Sequence, residues 1–451
     1  MNNSFWWESL PKWESLPSLS TASEPDVAII GAGYTGLWSA YFLSKLNPDL
    51  SIQIFEKEHV GFGASGRNGG WVSSLWPVSL TKLAASTNQE VAISFQILLH
   101  DLVKQFGQTL TEEKIDADFA LAGTVNLARS TAQLKRLNQE ITEYQDFGFS
   151  ADHYHLTNDL STLPNATNLL AGLISPHCAS IQPAKLVRNL AHVVLKQGTE
   201  IFENSAVTNL DGNQFTANGH RVSAKYVLVA TEGYRHQLIK RITAPIHSLM
   251  FITDPIPADL LTQLRLKPGQ TFNDSRNLII YGQRTADNRI AFGGRGAPYR
   301  FGSKTGHEVE LHQGAFRYLK NALSEMFPDL SEYVANPSHF WGGPIGVSRD
   351  WQPSINFDPE SGVITAGNYV GDGVAASYLA GKSIAELITK TNSDLLSLPW
   401  MHHKSRKWEI EPIRYLLINA ARISISAADK LEQKLKKETL LTKVLWRLLK
   451  G

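Results

Sequence analysis

Val27-Ala28-Ile29-Ile30-Gly31-Ala32-Gly33-Tyr34-Thr35-Gly36, continued by Leu37-Trp38-Ser39-Ala40-Tyr41-Phe42-Leu43, decides the fold of this chain. Four apolar residues make a buried strand, three glycines make a turn, and the apolar run after them reads as a buried helix. Asn47-Pro48-Asp49 is a turn, and Ser51-Ile52-Gln53-Ile54-Phe55 is a second strand ending at Glu56. The unit is strand–helix–strand, with the length a parallel pair needs. The three glycines differ in what they permit. Gly31 makes the tight turn, Gly33 lets backbone approach a phosphate, and Gly36 lets the helix pack on the sheet. The free N–H groups at the helix start then favour an anion. Glu56, 25 positions after Gly31, can accept hydrogen bonds from ribose hydroxyls.

Working outward, strands and helices alternate. A helix is expected over 184–197, a buried strand over 225–230, and a hairpin from 277–282 to 289–293 around Ala286-Asp287-Asn288. A single long helix is expected over 307–327, a strand over 363–367, and a helix from Gly373 to about Thr389. Strand–helix units at both ends with a hairpin-rich portion between them predict two interwoven domains. The expected division is an aromatic arm over 1–23, a dinucleotide domain from 24–90, 170–245 and 340–392, a substrate domain from 91–169 and 246–339, and a helical tail over 393–451.

With 451 residues, 43% hydrophobic and 19% charged, the chain reads as globular with room for a buried ligand. A net charge of +1 argues against nucleic acid as a partner. The single cysteine, Cys178, excludes an internal disulfide and any cysteine-built metal cluster. No apolar run is long enough to span a membrane, the N-terminus has no signal-peptide pattern, and a cytoplasmic location is expected. The adjacent His402-His403 pair cannot share a helix face, so no metal site is expected. From Lys430 to Gly451 the leucines fall near helical spacing, with seven Lys and Arg against two Glu. Such a helix can cover a neighbouring domain or subunit, the favoured reading, or lie on an anionic membrane.

Gly61-Phe62-Gly63-Ala64-Ser65-Gly66-Arg67-Asn68-Gly69-Gly70 resembles the flavin-approaching segment of the D-amino-acid oxidase superfamily. Within it the chain is most similar to the branch of gamma-glutamylputrescine oxidoreductase and the proposed aminophosphonate oxidoreductases. Further resemblances are the arm Phe5-Trp6-Trp7, the turn Val229-Ala230-Thr231-Glu232-Gly233, the hairpin Tyr281 to Arg295, Trp341-Gly342-Gly343-Pro344, and Gly367-Asn368-Tyr369-Val370-Gly371-Asp372-Gly373. The resemblance implies an α/β fold: a glutathione-reductase-type Rossmann domain interleaved with a mixed-sheet α+β substrate domain, plus the helical tail. It also implies non-covalent FAD. Cofactor contacts are then expected at Gly31, Gly33, Tyr34, Thr35, Gly36, Glu56, Lys57, Ala64, Ser65, Arg67, Asn68, Gly69, Gly70, Val207, Ala230, Gly233, Gly371, Asp372, Gly373 and Val374.

The implied activity is oxidation of a small primary or secondary amine. Hydride passes to flavin N5, the imine hydrolyses to an aldehyde plus amine or ammonia, and oxygen or another acceptor takes the electrons. The substrate-site candidates are Tyr281, Arg284, Arg295, Trp341 and Tyr369. Ile345 stands where amino-acid oxidases of the superfamily place a carboxylate-binding arginine, and isoleucine cannot make that bidentate pair. Arg349 could replace it but is expected at the surface. Arg284, Arg289, Arg295 and Arg300 crowd the hairpin region and suit a substrate with a remote anionic group, such as an aminophosphonate or a gamma-glutamyl polyamine. Two other readings are an N-methyl-amino-acid oxidase of the sarcosine type and a flavin-binding module without catalysis.

Overall fold

The computed structural model describes residues 4–435 and 437–439. The opening unit forms as expected. Strand Val27–Ile30 pairs in parallel with Ile52–Phe55, and helix Tyr34–Leu46 connects them. The strand is buried at every position, so an uninterrupted apolar run is the pattern it needs. Around it grows a six-stranded sheet in the order Ser354–Asp358, Val363–Gly367, Tyr226–Val229, Val27–Ile30, Ile52–Phe55, Glu200–Phe202. All neighbours are parallel except the antiparallel edge strand Ser354–Asp358. Helix Gly373–Thr389 crosses Tyr34–Leu46 so closely that a Cβ on Gly381 would lie 2.6 Å from the Trp38 carbonyl carbon.

An eight-stranded mixed sheet stands beside it, in the order His339–Val347, Ala244–Ile252, Ile290–Arg295, Ile280–Arg284, Thr271–Asp274, Thr124–Ala128, Ala171–Ser175, His155–Thr157. One pairing in it, Thr271–Asp274 with Thr124–Ala128, is parallel. The division expected from sequence shifts here. Strand Ala171–Ser175 and residues 340–347 of strand His339–Val347 fall within the ranges expected for the dinucleotide half, yet both strands pair in the eight-stranded sheet. A short apolar strand does not carry its partner in its own sequence, and these partners lie dozens of residues away. A three-stranded antiparallel sheet over Val207–Asp211, Gln214–Ala217 and His220–Ser223, and a ribbon of Trp71–Ser73 with Cys178–Ser180, complete the β-structure among the described residues.

The helix expected over 307–327 is two helices, His307–Glu310 and Gln313–Met326. His312 caps the second, its Nδ1 accepting from the Ala315 amide. The aromatic arm is pinned to the body: Trp6 is buried and Trp13 Nε1 donates to Glu203. In the tail, helix Ile413–Leu435 begins well before the basic run read over 430–451, most of which lies outside the described residues. Ile413, Leu416 and Ile423 are exposed on it. Among the described residues no helix is long and apolar enough to cross a membrane.

Candidate active site

A cavity of about 410 Å³ opens beyond the carboxyl ends of the parallel strands, where ligands of such sheets bind. The strand order sets out its walls. Lys57, Glu58, Ala206 and Val207 lie by the outer strands; Gly31, Gly33, Ala64 and Ser65 lie by the central one. Ala230 and Gly233 follow the strand Tyr226–Val229, Pro344 and Ile345 belong to strand His339–Val347 of the eight-stranded sheet, and Tyr369, Gly371, Gly373 and Val374 follow the strand Val363–Gly367.

The central part fits a pyrophosphate. Gly31 has φ +108, and a Cβ there would lie 2.9 Å from the Ala230 carbonyl oxygen, so only glycine suits the turn. A Cβ on Gly33 would approach Ser65 Oγ to 2.9 Å, filling the cradle. The Tyr34 amide donates to that same Ser65 Oγ at 2.9 Å. Gly33 opens the helix without a side-chain cap, which leaves first-turn N–H groups for an anion. Glu56 accepts from the amides of Ala32 at 2.9 Å and Glu58 at 3.0 Å, and burial pushes its carboxyl up to about 7. Thr35, Asn68 and Val207 also line the cavity.

Gly36, Arg67, Gly69, Gly70 and Asp372 do not line it, unlike the sequence expectation. Gly36 packs helix against turn, where a Cβ would lie 2.1 Å from the Gly31 oxygen. Gly69 and Gly70 abut Tyr281 and Gln283. Arg67 pairs with Glu310 at 3.0 Å, both 8% exposed, and its guanidinium lies 4.4 Å from the Phe62 ring centroid. Three consecutive carbonyls of this loop are each held by a donor from elsewhere. Ser4 Oγ reaches Gly66 at 2.6 Å, Trp341 Nε1 reaches Arg67 at 2.8 Å, and Trp6 Nε1 reaches Asn68 at 2.9 Å. Trp341 is fully buried against Trp6. It therefore holds the loop 61–70 in place and, unlike Tyr369, does not line the cavity.

The far end is fastened by Glu232, a buried carboxylate inside the turn 229–233 to which the sequence alone gives no role of its own. It accepts from the amides of Asn368 (2.8 Å), Gly346 (3.1 Å) and Tyr369 (3.2 Å), and so ties three segments at one point. Arg235, buried beside it, donates to the Ala366 carbonyl. Glu232 has φ +39, a strained value for a non-glycine residue, and these contacts hold it there. Its only sequence signal is its position between two expected contacts, Ala230 and Gly233. Tyr369 lines the cavity, and its hydroxyl lies 2.9 Å from Thr35 Oγ1.

Strand alternation sorts the hairpin arginines. Tyr281 and Gln283 meet Gly69 and Gly70, whereas Ile280 and Gly282 meet the opposite core. Arg284 shares that opposite face. It is spent on Asn288 and on the Leu266 carbonyl, which removes it from the substrate site. Arg289 pairs with Asp287, Arg300 with Glu308 and Arg349 with Glu409. Arg295 is different. It donates to the Val370 carbonyl, and a Cβ on Gly371 would lie 3.4 Å from its Nη2. It feels the charge of Asp372 and the hydroxyl of Tyr281, and Tyr281 in turn bonds Ser248 at 2.7 Å. Burial pushes Asp372 up to about 6 against the pull of Arg295.

Among the described residues no cysteine or histidine lines the cavity. Cys178 is buried and lies 3.3 Å from Thr271 Oγ1, and burial pushes its thiol up to about 12. Both features leave it inert toward a bound flavin. His403, half-buried, bonds Asp350 at 2.7 Å.

The family model described as FAD dependent oxidoreductase matches residues 26–387. Gamma-glutamylputrescine oxidoreductase of Escherichia coli (strain K12) is 26% identical over 395 residues, covering 86% of this chain and 88% of that protein. A probable oxidoreductase, OrdL, of Rhizobium meliloti (strain 1021) is 26% identical over 408 residues, covering 86% and 89%. The crystal structure of glycine oxidase from Geobacillus kaustophilus superposes with a TM-score of 0.70 at 20% identity, covering 85% of this chain and all of that one. The glycine turn, the acid closing the second strand and the match over most of the length agree, and the chain belongs to the FAD dependent oxidoreductase family.

Proposed function

We propose that this oxidoreductase acts on a small primary or secondary amine that carries a remote anionic group. The observation that carries this reading is Arg295, which among the described hairpin arginines faces Tyr281 and Asp372 and is not paired with a surface carboxylate. Ile345 lines the cavity where a carboxylate-binding arginine would favour a simple α-amino acid. The similar protein named gamma-glutamylputrescine oxidoreductase supports the amine class.

Bound FAD supplies the two-electron acceptor that takes hydride from the amine α-carbon. The protein binds, orients and manages protons. Residues 31–36 and 56 would hold the ADP portion, and Gly371 to Val374 would face the flavin ring from a helix N-terminus. Tyr281, fixed by Ser248, walls the substrate. Asp372, between the cavity-lining Gly371 and Gly373 and pushed up to about 6 by burial, would take the ammonium proton, because hydride leaves only a neutral amine. The Arg295 guanidinium, partly desolvated, attracts the remote anion. Imine hydrolysis then releases a carbonyl compound and ammonia or a smaller amine.

The test is the rate of anaerobic flavin reduction across gamma-glutamyl polyamines, aminophosphonates, sarcosine, glycine and D-alanine. An anionic amine should be fastest. Sarcosine or glycine as best substrate would replace this reading with the N-methyl-amino-acid or simple amino-acid one.

A further inference from the structure

Outside the flavin cavity, the fold gathers three histidines that no step above uses. His100 lies on helix Gln89–Glu112, His153 follows helix Thr131–Asp146, and His177 sits between strands Ala171–Ser175 and Cys178–Ser180. One ring nitrogen from each lies within 4.8 Å of the other two. His153 Nδ1 is 2.9 Å from His177 Nε2, and the rings of His100 and His177 stack with centroids 3.7 Å apart.

We propose that His100, His153 and His177 bind one divalent transition-metal ion of the zinc class, which clamps three separate segments together. Three imidazoles are the ligand set of zinc, nickel, copper and cobalt and not of magnesium or calcium, which prefer oxygen. The hydrogen bonding of His100 points the same way. Its Nε2 lies 2.7 Å from the Tyr154 hydroxyl, which also accepts from Gln96 at 3.0 Å. Its Nδ1 is fully buried without a partner. Either tautomer leaves that nitrogen unsatisfied, a costly state for a buried polar atom. A metal on Nδ1, with Nε2–H donated to Tyr154, satisfies both, and such an outer partner is what orients a ligating histidine.

Burial and mutual repulsion push His100 to about 3 and His177 to about 4, so both are neutral ligands at pH 7. The nearby charges are Lys104 and Asp101, which lie 4.0 Å apart and offset each other. Stacked rings do not aim their lone pairs at one point, so binding requires the half-buried His153 and its neighbours to turn about their ring torsions. His177 adjoins Cys178–Ser180, which pairs with Trp71–Ser73, and the Trp71 ring lies 6.2 Å from that of Tyr281. The clamp thus braces the ribbon behind the substrate wall.

The experiment uses tag-free holoenzyme, stripped with chelator, desalted and titrated with Zn²⁺ by calorimetry, with Co²⁺ visible absorption as the second probe. The expected result is one ion per chain, visible bands in the cobalt form, and a rise in Tm with Zn²⁺. His153→Ala, half-buried and the variant best placed to fold, should bind at least about tenfold more weakly. Its flavin spectrum should stay unchanged, which reports that it is folded. Substoichiometric binding, or equal binding by His153→Ala, would overturn the proposal and leave a stacked histidine cluster. Flavin loading is read separately, so failure here leaves the amine-oxidation reading untouched.

Discussion

At the level of single residues, the site is defined by positions with no room for a larger side chain and by buried charges held by named partners. Gly33→Val would drive a branched side chain into Ser65 Oγ, already 2.9 Å from a mere Cβ. The protein should fold but purify largely without flavin, as read by its absorbance ratio; a normal ratio would refute the cradle. Glu56 gives a pH signature. Its carboxyl, ordinarily at 4.5, is pushed up to about 7, so the folded apo-protein binds more protons than the unfolded chain between those values. Its contribution to stability is therefore present at low pH and lost as pH rises through about 7. Apo wild type should lose Tm between pH 5 and pH 8 relative to Glu56→Gln, and a relative gain would contradict the assignment. Arg295→Met should slow reduction by the preferred amine about 10- to 150-fold, the worth of one charge-assisted pair, while Arg284→Met leaves that rate alone. The glycine turn is legible in sequence because its constraints are local, within about one helical turn. Arg284 and Arg295 are not separable there, because strand register decides which face each takes. Glu310 and Glu232 escape sequence reading for a related reason: their partners are supplied by segments over one hundred residues away.

At the level of elements, the strand–helix–strand opening and the helix Gly373–Thr389 are readable from periodicity, since burial on all sides leaves continuous apolar runs. The break at Leu311 is not, because the apolar pattern continues across it while His312 caps a new helix. Sheet membership of His339–Val347 is equally hidden, as nine residues of pairing with Ala244–Ile252 depend on a partner almost one hundred positions earlier. The described part of the tail packs against protein, in line with the favoured reading, although its helix starts earlier, at Ile413. Asp429 accepts from the amides of Asn277 and Leu278, and Glu432 pairs with Arg136 at 2.9 Å, so this helix is fastened to the loop before strand Ile280–Arg284 and to helix Thr131–Asp146. Removing everything from residue 430 would therefore break a packed contact. Asp429→Ala, which orphans two amides, should cost about 2–3 kcal/mol in chemical denaturation. A change within error would show that the helix Ile413–Leu435 does not brace the loop.

At the level of the whole molecule, two sheets meet over one cavity, and its walls come from segments far apart in the chain, within 30–68, 206–208, 230–238, 344–345 and 369–377. Glu232 ties Gly346, Asn368 and Tyr369 across that meeting, so the flavin end is assembled only when both sheets are in place. Among the described residues the cavity walls hold no cysteine or histidine, so acid should release all the flavin from the denatured chain as FAD. Flavin that stays with the protein would contradict non-covalent binding. The cavity is read as holding FAD and using it to oxidise an amine bearing a remote anion. The most direct test is an anaerobic titration of the yellow protein with gamma-glutamyl polyamine or aminophosphonate, monitored by flavin absorbance. An anionic amine should bleach the flavin fully in one two-electron step, with recovery of colour on adding an electron acceptor. Protein that carries FAD yet stays yellow with every amine tried, while dithionite bleaches it, would show a flavin-binding module without this catalysis.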